Sequence, residues 1–496
     1  MPTQVLAFNE IPNDWRNPGT YIEARANYSS TGPLPYPARA LIIGQMLAGA
    51  VGPALVATQL TRVDQATGMF GQGSIAADLA SAWLTANPTS QVSILALADA
   101  GGSTKAVGSF VISGSPTANW TQYFYVAGRR VRATITAGDT LAIITANVLA
   151  AFAAMIGSNT LPVVATSGVA GTITLTARHG GAAANDIDLR TVLLDGDGVA
   201  PGLAIAVTAM VGGVTNPDVT TAISAIASDW YTHIVMPWND AANVAAMNTE
   251  LERRFGAMVR LDAHAFIGFK GTLGACGTFG MTPNSRFLSF IGGKNLISPP
   301  WFWAAVTGAV SMFRLVNDPA RQLRGIALPG VIGPAPVDRF MDSEMDTQLR
   351  QGFSTFRVGS DGTVFLERVI TTYRITALGV PDTAWLDIMT PQVMSRIRYD
   401  WRNYLSLTYP SNKLADDGSV AAEYDDTVVT PARMRGSWAA RCKLYERQGW
   451  IENSATTVAA SVFVRDATDR NRMNARQQVR IIGNLMVLAG ALEFQA

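Results

Sequence analysis

Val92-Ser93-Ile94-Leu95-Ala96-Leu97-Ala98 has one small polar member among apolar neighbours, and its reading decides the fold. A strand with one wet face alternates polar and apolar residues. A run apolar at both sets of alternate positions has no side left for water, so it must be covered twice. Just upstream, Ile75, Leu79 and Trp83 recur every fourth residue in a helix over 75–86, and Leu41-Ile42-Ile43 is a short buried strand. The pattern resumes after residue 217. A helix over 219–229 leads to a strand at 234–236. A helix over 241–255 carries Val244, Met247, Leu251 and Phe255 on one stripe. Strands at 265–269 and 287–291 and an apolar helix around 301–313 follow. Such alternation predicts an α/β core with a largely parallel, doubly wound sheet holding all these runs.

Residues 101–215 break the pattern. They are rich in Gly, Ala, Thr and Val, with β-like stretches at 107–112, 123–126, 131–136, 172–177 and 203–210. One helix, opened by Asp139, runs to about residue 156. The expected organisation is a core at 38–100 and 216–325, interrupted by an inserted mainly-β domain at 101–215. Beyond it Gly330, Gly333, Pro334 and Pro336 mark a linker. Ser360-Asp361-Gly362 joins two strands, 353–358 and 363–370, as a hairpin. Helices at 390–407 and 431–448 complete a C-terminal α+β domain at 326–477.

The two ends read as extended arms, 1–37 and 478–496. In the first, Thr20, Ile22 and Ala24 alternate with Tyr21 and Glu23 between proline-rich flanks. In the second, Leu492-Glu493-Phe494-Gln495 alternates likewise. Neither has a local partner, so each must pair with a sheet elsewhere, in this chain or another.

Composition narrows the function. Of 496 residues, 48% are hydrophobic and 15% charged, with 38 basic against 37 acidic. That balance argues against a nucleic-acid binder held by phosphate contacts and against a polybasic membrane protein, and it suits self-association. The uncharged stretches between Lys294 and Arg314 and between Asp197 and Asp218 are broken by Pro299-Pro300 and by glycines and prolines, so neither is expected to span a membrane. No signal peptide is expected at the N-terminus. Cys276 and Cys442, the two cysteines, give no disulfide framework and point to a reducing cytoplasm.

Catalytic signals are weak. The glycines from Gly68 to Gly73 precede a helix but no P-loop Lys follows, so Ser74 reads as an N-cap. His233 and His264 flank apolar strands as core residues, and no G-x-S-x-G elbow accompanies His179. Asp416-Asp417-Gly418 and Asp425-Asp426 read as solvated turns rather than a calcium loop. The aromatic groups Trp301/Trp303 and Trp401/Tyr404 read as core or interface. No cofactor or metal is expected. An α/β hydrolase or nucleotide-binding enzyme with β insertions stands as the alternative.

Several segments carry a resemblance: Pro18-Gly19-Thr20-Tyr21-Ile22-Glu23, Phe70-Gly71-Gln72-Gly73-Ser74, Phe365-Leu366-Glu367-Arg368-Val369-Ile370, Tyr409-Pro410-Ser411-Asn412-Lys413 and Gly449-Trp450-Ile451-Glu452-Asn453. In this order and spacing the chain resembles the sheath proteins of contractile phage tails, most closely the Mu-like group. The resemblance implies a subtilisin-like core, here without matching triad residues. It implies hexameric rings stacked around a tail tube, joined by strand exchange between arms, with baseplate and tail terminator proteins as further partners. It places the protein in the virion tail after assembly in the host cytoplasm. Another structural tail or baseplate component is a second alternative. The arms are expected to add to the hairpin carrying Phe353, Phe356, Val358, Val364, Leu366 and Val369. In the helix 431–448, Met434, Trp438, Cys442 and Tyr445 form the packing stripe. Arg433, Arg441, Lys443 and Arg447 are expected on the remaining surface, against an acidic tube.

Overall fold

The computed structural model describes Pro12, residues 16–22 and residues 32–494, without the side chain of Ser158. The chain groups into two compact units. The larger holds Tyr36–Tyr399, Gln448–Asn453 and the residues from Val479 onward. The smaller holds Asp400–Arg447, Ser454–Gln478 and the described residues before Tyr36.

The larger unit opens with β1 (Ala40–Gln45), β2 (Thr58–Leu60), α1 (Val63–Phe70), α2 (Ile75–Ala86) and β3 (Val92–Leu97). Next come β4 (Lys105–Gly114), β5 (Trp120–Val126), β6 (Arg129–Ile135), α3 (Leu141–Ala153), β7 (Val163–Thr166), β8 (Thr172–Gly180), β9 (Leu189–Arg190) and β10 (Leu203–Val211). Then follow α4 (Val219–Ala225), β11 (His233–Val235), α5 (Ala241–Phe255), β12 (His264–Lys270), α6 (Leu273–Gly280), β13 (Leu288–Gly293) and α7 (Pro300–Asn317).

Six strands make one sheet in the order β13-β12-β11-β1-β3-β2, parallel throughout except for the edge strand β2. The apolar runs expected together are all in it. Every residue of β1, β3 and β13 is buried, which is why no alternation marks them. α7 starts at Pro300, where a missing N–H costs nothing. It approaches β12 so closely that a Cβ on Gly268 would lie 1.8 Å from the Pro300 carbonyl oxygen. Ser74 caps α2 as expected, its Oγ accepting the Ala77 N–H at 3.1 Å.

The strands between β3 and β11 join none of this sheet. β10-β4-β8-β7 form an antiparallel four-stranded sheet, and β6-β5-β9 a three-stranded one. Phe110, Phe124 and Phe152, from β4, β5 and α3, bring their rings together at centroid distances of 4.9, 6.0 and 6.5 Å. One expectation is corrected here: Thr140, not Asp139, caps α3, and the helix ends at Ala153. Asp139 accepts the Thr136 N–H at 2.7 Å instead, closing the turn before the helix.

Past α7 lie α8 (Asp342–Arg350), β14 (Thr355–Val358), β15 (Val364–Arg368) and α9 (Met389–Thr408). The smaller unit, which takes up the chain at Asp400, adds β16 (Lys413–Leu414), α10 (Val420–Tyr424), β17 (Val428–Val429), α11 (Pro431–Arg447), α12 (Ser454–Ala459), β18 (Val462–Arg465) and β19 (Met473–Arg476). Its core is aromatic. Trp438 of α11 meets Trp401 at 5.0 Å and donates its indole N–H to Ser461 at 3.0 Å.

Candidate assembly surfaces

A doubly wound sheet holds ligands at the carboxyl ends of its strands. Here the inserted segment fills that rim. Asp99, just after β3, accepts from His179 Nδ1 at 2.7 Å, from the Gly180 N–H at 2.8 Å and from Gln45 Nε2 at 2.7 Å. His179 Nε2 accepts the Ile75 N–H at 3.2 Å, so its proton sits on Nδ1. Burial alone would raise the Asp99 carboxyl, but the hydrogen bonds from His179 and Gly180 outweigh it and hold it below the usual range. An imidazole with both nitrogens engaged takes no proton from a hydroxyl. The amides of Ile75 and Ala77, which an anion at the start of α2 would need, are already taken. His233 and His264 are fully buried on adjacent strands, and burial pushes His233 down to about 3. Among the described residues, no three His, Cys, Asp or Glu side chains gather as a metal would require.

The chain ends contrast with this closed rim. Thr20, Tyr21 and Ile22 belong to no strand, and Ile22 is 88% exposed. Glu23, Ala24 and Gln495 lie outside the described residues. The C-terminal segment is tied down at first: Arg480 O accepts the Glu452 N–H at 3.0 Å, and the Ile482 N–H reaches Trp450 O at 3.2 Å. Leu485 O accepts from Gln322 Nε2 at 3.2 Å. Farther on, Val487, Leu488, Leu492 and Phe494 stand exposed, Leu492 completely. Leu492, Glu493 and Phe494 belong to no strand and pair with none among the described residues.

Two hairpins are candidate acceptors. In β14–β15 the residues Val364 and Leu366, with the flanking Phe353 and Val369, are buried, while Phe356 and Val358 are partly so. The outer edge of β15 is occupied by the chain itself. Leu366 accepts from the Gly325 N–H and donates to Ile326, at 2.8 and 2.9 Å, and the Leu328 N–H reaches Val364 O at 2.8 Å. Ser354 ties the start of β14 to Phe290 of β13. Among the described residues no strand pairs with the outer edge of β14, which lies beside a cleft of about 170 Å³ lined by Phe340, Met345, Gln348 and Phe356.

The sequence reasoning missed the second hairpin, β18–β19. Among the described residues no further strand pairs with either of its edges. Phe463 points inward, whereas Val462 and Val464 are 44% and 49% exposed. A groove of about 490 Å³ runs between β18 and α11. Ala432, Gly436 and Ala439 line one side, Val458, Val462 and Phe463 the other. The alternation Val462-Phe463-Val464 was the available signal.

α11 corrects another expectation. Arg441 is buried, its Nε donating to Asp400 at 3.0 Å and its Nη2 at 2.5 Å. Asp400 also accepts from Tyr445 Oη at 2.5 Å and from the Leu34 N–H at 2.8 Å. The reason is helical spacing: Trp438, Arg441, Cys442 and Tyr445 fall at i, i+3, i+4 and i+7, a single face. Burial pushes the Cys442 thiol up to about 12, with Glu446 adding to the effect. Arg433 is partly buried and caps the Asp426 and Val428 carbonyls at 2.9 and 2.7 Å. Lys443 and Arg447 are exposed.

A filled crevice, exposed apolar ends and an open hairpin describe a subunit made to be joined to others. A family model for the phage tail sheath protein central domain matches residues 212–372. The tail sheath protein of a Mu-like prophage of Haemophilus influenzae is 30% identical over 490 residues, covering 99% of each chain. Solved sheath tail proteins from Desulfitobacterium hafniense and Listeria innocua also align, each at 12% identity. Their TM-scores are 0.48 and 0.49, with 94% and 92% of this chain and 100% and 93% of theirs covered. The chain belongs to the phage tail sheath protein family, the structural subunits of contractile tails.

Proposed function

We propose that this chain polymerises as stacked hexameric rings around a tail tube, joined by strand exchange, and contracts to drive the tube through the host envelope. One observation carries this reading. The hairpin β18–β19 is open at its edges with Val462 and Val464 exposed, and the same chain has ends whose Ile22, Leu492 and Phe494 are exposed. Two strands alone are marginal, and added strands supply main-chain hydrogen bonds while alternate side chains enter the flanking groove. An arm from another copy completes the sheet. The outer edge of β14, which pairs with no strand among the described residues, is the other acceptor, though its hairpin is already completed by the chain on the β15 side.

Lys443 and Arg447, with Arg433 at the opposite end of α11, would face an acidic tube surface. Exposed pairs contribute only about 0–1 kcal/mol each, which suits contacts given up on contraction. Baseplate and tail terminator proteins would cap the polymer. Its place would be the virion tail, after assembly in the host cytoplasm. The role is structural rather than catalytic, and nothing in it calls for nucleic acid or membrane. No helix among the described residues is long and apolar enough to cross a membrane. In this reading the arms are 1–37 and 478–496, the subtilisin-like core is 38–100 with 216–325, the insertion is 101–215, and the sheath domain is 326–477.

Electron microscopy of the purified chain tests the proposal. Hollow polymers are expected from the full-length protein, and folded monomers from chains lacking residues 1–28 or 478–496. Polymers from both truncated chains would rule out strand exchange.

A further inference from the structure

We infer that the sheet β10-β4-β8-β7 of the inserted segment continues from one copy of this chain into the next, β10 of one copy pairing with β7 of its neighbour. β10 is an edge strand of nine residues, Leu203–Val211, without a single charge. Ala206, Val207, Thr208 and Ala209 are all exposed, and Val211 is 60% exposed. Proteins that stay monomeric blunt such edges with lysine, proline or a covering segment, because unpaired N–H and C=O groups template another strand. β10 has one irregularity, between Thr208 and Val211, and no gatekeeping charge. Nor does the sequence around it: residues 199–217 carry no Asp, Glu, Lys or Arg.

The opposite edge of the same sheet has the same character. β7 is Val163-Val164-Ala165-Thr166, with Val164 44% exposed, inside an uncharged stretch spanning residues 140–177. Among occupants for β10, a second copy's β7 fits best. Within one copy the two edges are separated by β4 and β8, so they meet only between copies. Each strand runs antiparallel to the next, so sheets set side by side in one orientation bring β10 and β7 together antiparallel. Register follows as well. Thr208, Ser109, Thr174 and Thr166 stand opposite one another in a row across the sheet. A level continuation places Thr166 of one copy opposite Thr208 of the next, a favourable Thr–Thr cross-strand pair. Joining two different patches is head-to-tail, so it closes a ring or runs on as a helix. The inference rests on the proposed function only for bringing many copies together, and it uses none of the arm or hairpin residues.

The test uses the full-length chain with Thr166→Cys and Thr208→Cys, treated with a short bifunctional thiol reagent; Cys276 and Cys442 are buried. The double variant is expected to give a ladder of covalent multimers, each single variant monomer only, and an equal mixture of single variants cross-linked dimer. Ala206→Lys, which sets a charge on the edge, should cut the polymer fraction about tenfold without shifting thermal unfolding. Dimer from Thr208→Cys alone would mean that β10 meets β10, and would overturn the inference. Polymers seen by electron microscopy without a ladder would overturn it too, while leaving the sheath reading intact. If the wild-type chain forms no polymer, the sheath reading falls, and the ladder in the soluble double variant still decides the edge pairing by its presence or absence.

Discussion

The hairpins β14–β15 and β18–β19 start from the same local chemistry and are completed differently. Both are short antiparallel pairs with one inward-facing row. The first is finished by its own chain: residues 325–328 take the edge of β15, and Ser354 joins β13, so Val364 and Leu366 have no exposure left. The second is left with Val462 and Val464 half in water beside an apolar groove. A strand pair completed from within contributes to stability. A strand pair left open stores a binding site, and losing its apolar surface should harm association rather than folding.

The largest expected effect tests what holds the open hairpin's foundation. Arg441→Met leaves Asp400 buried without its cationic partner, and should cost the smaller unit about 3–5 kcal/mol in denaturant titration. A loss below about 1 kcal/mol would return Arg441 to the surface role first expected of it. Next, Leu366→Ala should cost about 2–5 kcal/mol, because its side chain is fully buried. Val464→Lys should stay within about 0.5 kcal/mol of the parent in the same titration yet abolish polymers. Equal stability losses at both sites would erase the distinction between the hairpins.

The smallest effect concerns the filled crevice, the other completed surface. Asp186 sits near Lys270 and Asn239 at the strand ends, and burial pushes its carboxyl up to about 6. The folded chain therefore disfavours the ionised form. The contribution of this one group to stability is greatest near and below its ordinary value of 3.8 and is lost as pH rises through about 6. Asp186→Asn should raise the melting temperature by about 2 °C at pH 7.5 and leave it unchanged at pH 4. A destabilised variant at pH 7.5 would mean that the carboxylate is needed there as an anion.

The core was legible because strands buried on both faces write themselves as continuous apolar runs, as 92–98 and 287–291 do. The interruption at 101–215 showed because its composition differs from the sequence on either side. Other features left no such mark. Arg441 escapes a reading of the α11 stripe because its apolar members alone mark the inward face, and a paired arginine occupies an inward position just as well. The pairing of residues 325–328 with β15 has no sequence signal, because main-chain pairing leaves no side-chain signature and the glycines and prolines just beyond mark a linker. His179 and Asp99 lie 80 positions apart, and only the fold brings them within a hydrogen bond. The open hairpin escaped because four-residue strands offer a single alternation, too short to rise above its neighbours.

The central claim is that the arm of one copy completes the open hairpin of another. Two single variants, Val464→Cys and Phe494→Cys, assembled together into polymers and treated with a short thiol cross-linker, test it directly. Covalent dimers from the mixture, and none from either variant alone, are the predicted result. Intact polymers from the mixture with no dimer at any reagent concentration would contradict it, and the arm would have to find its partner elsewhere.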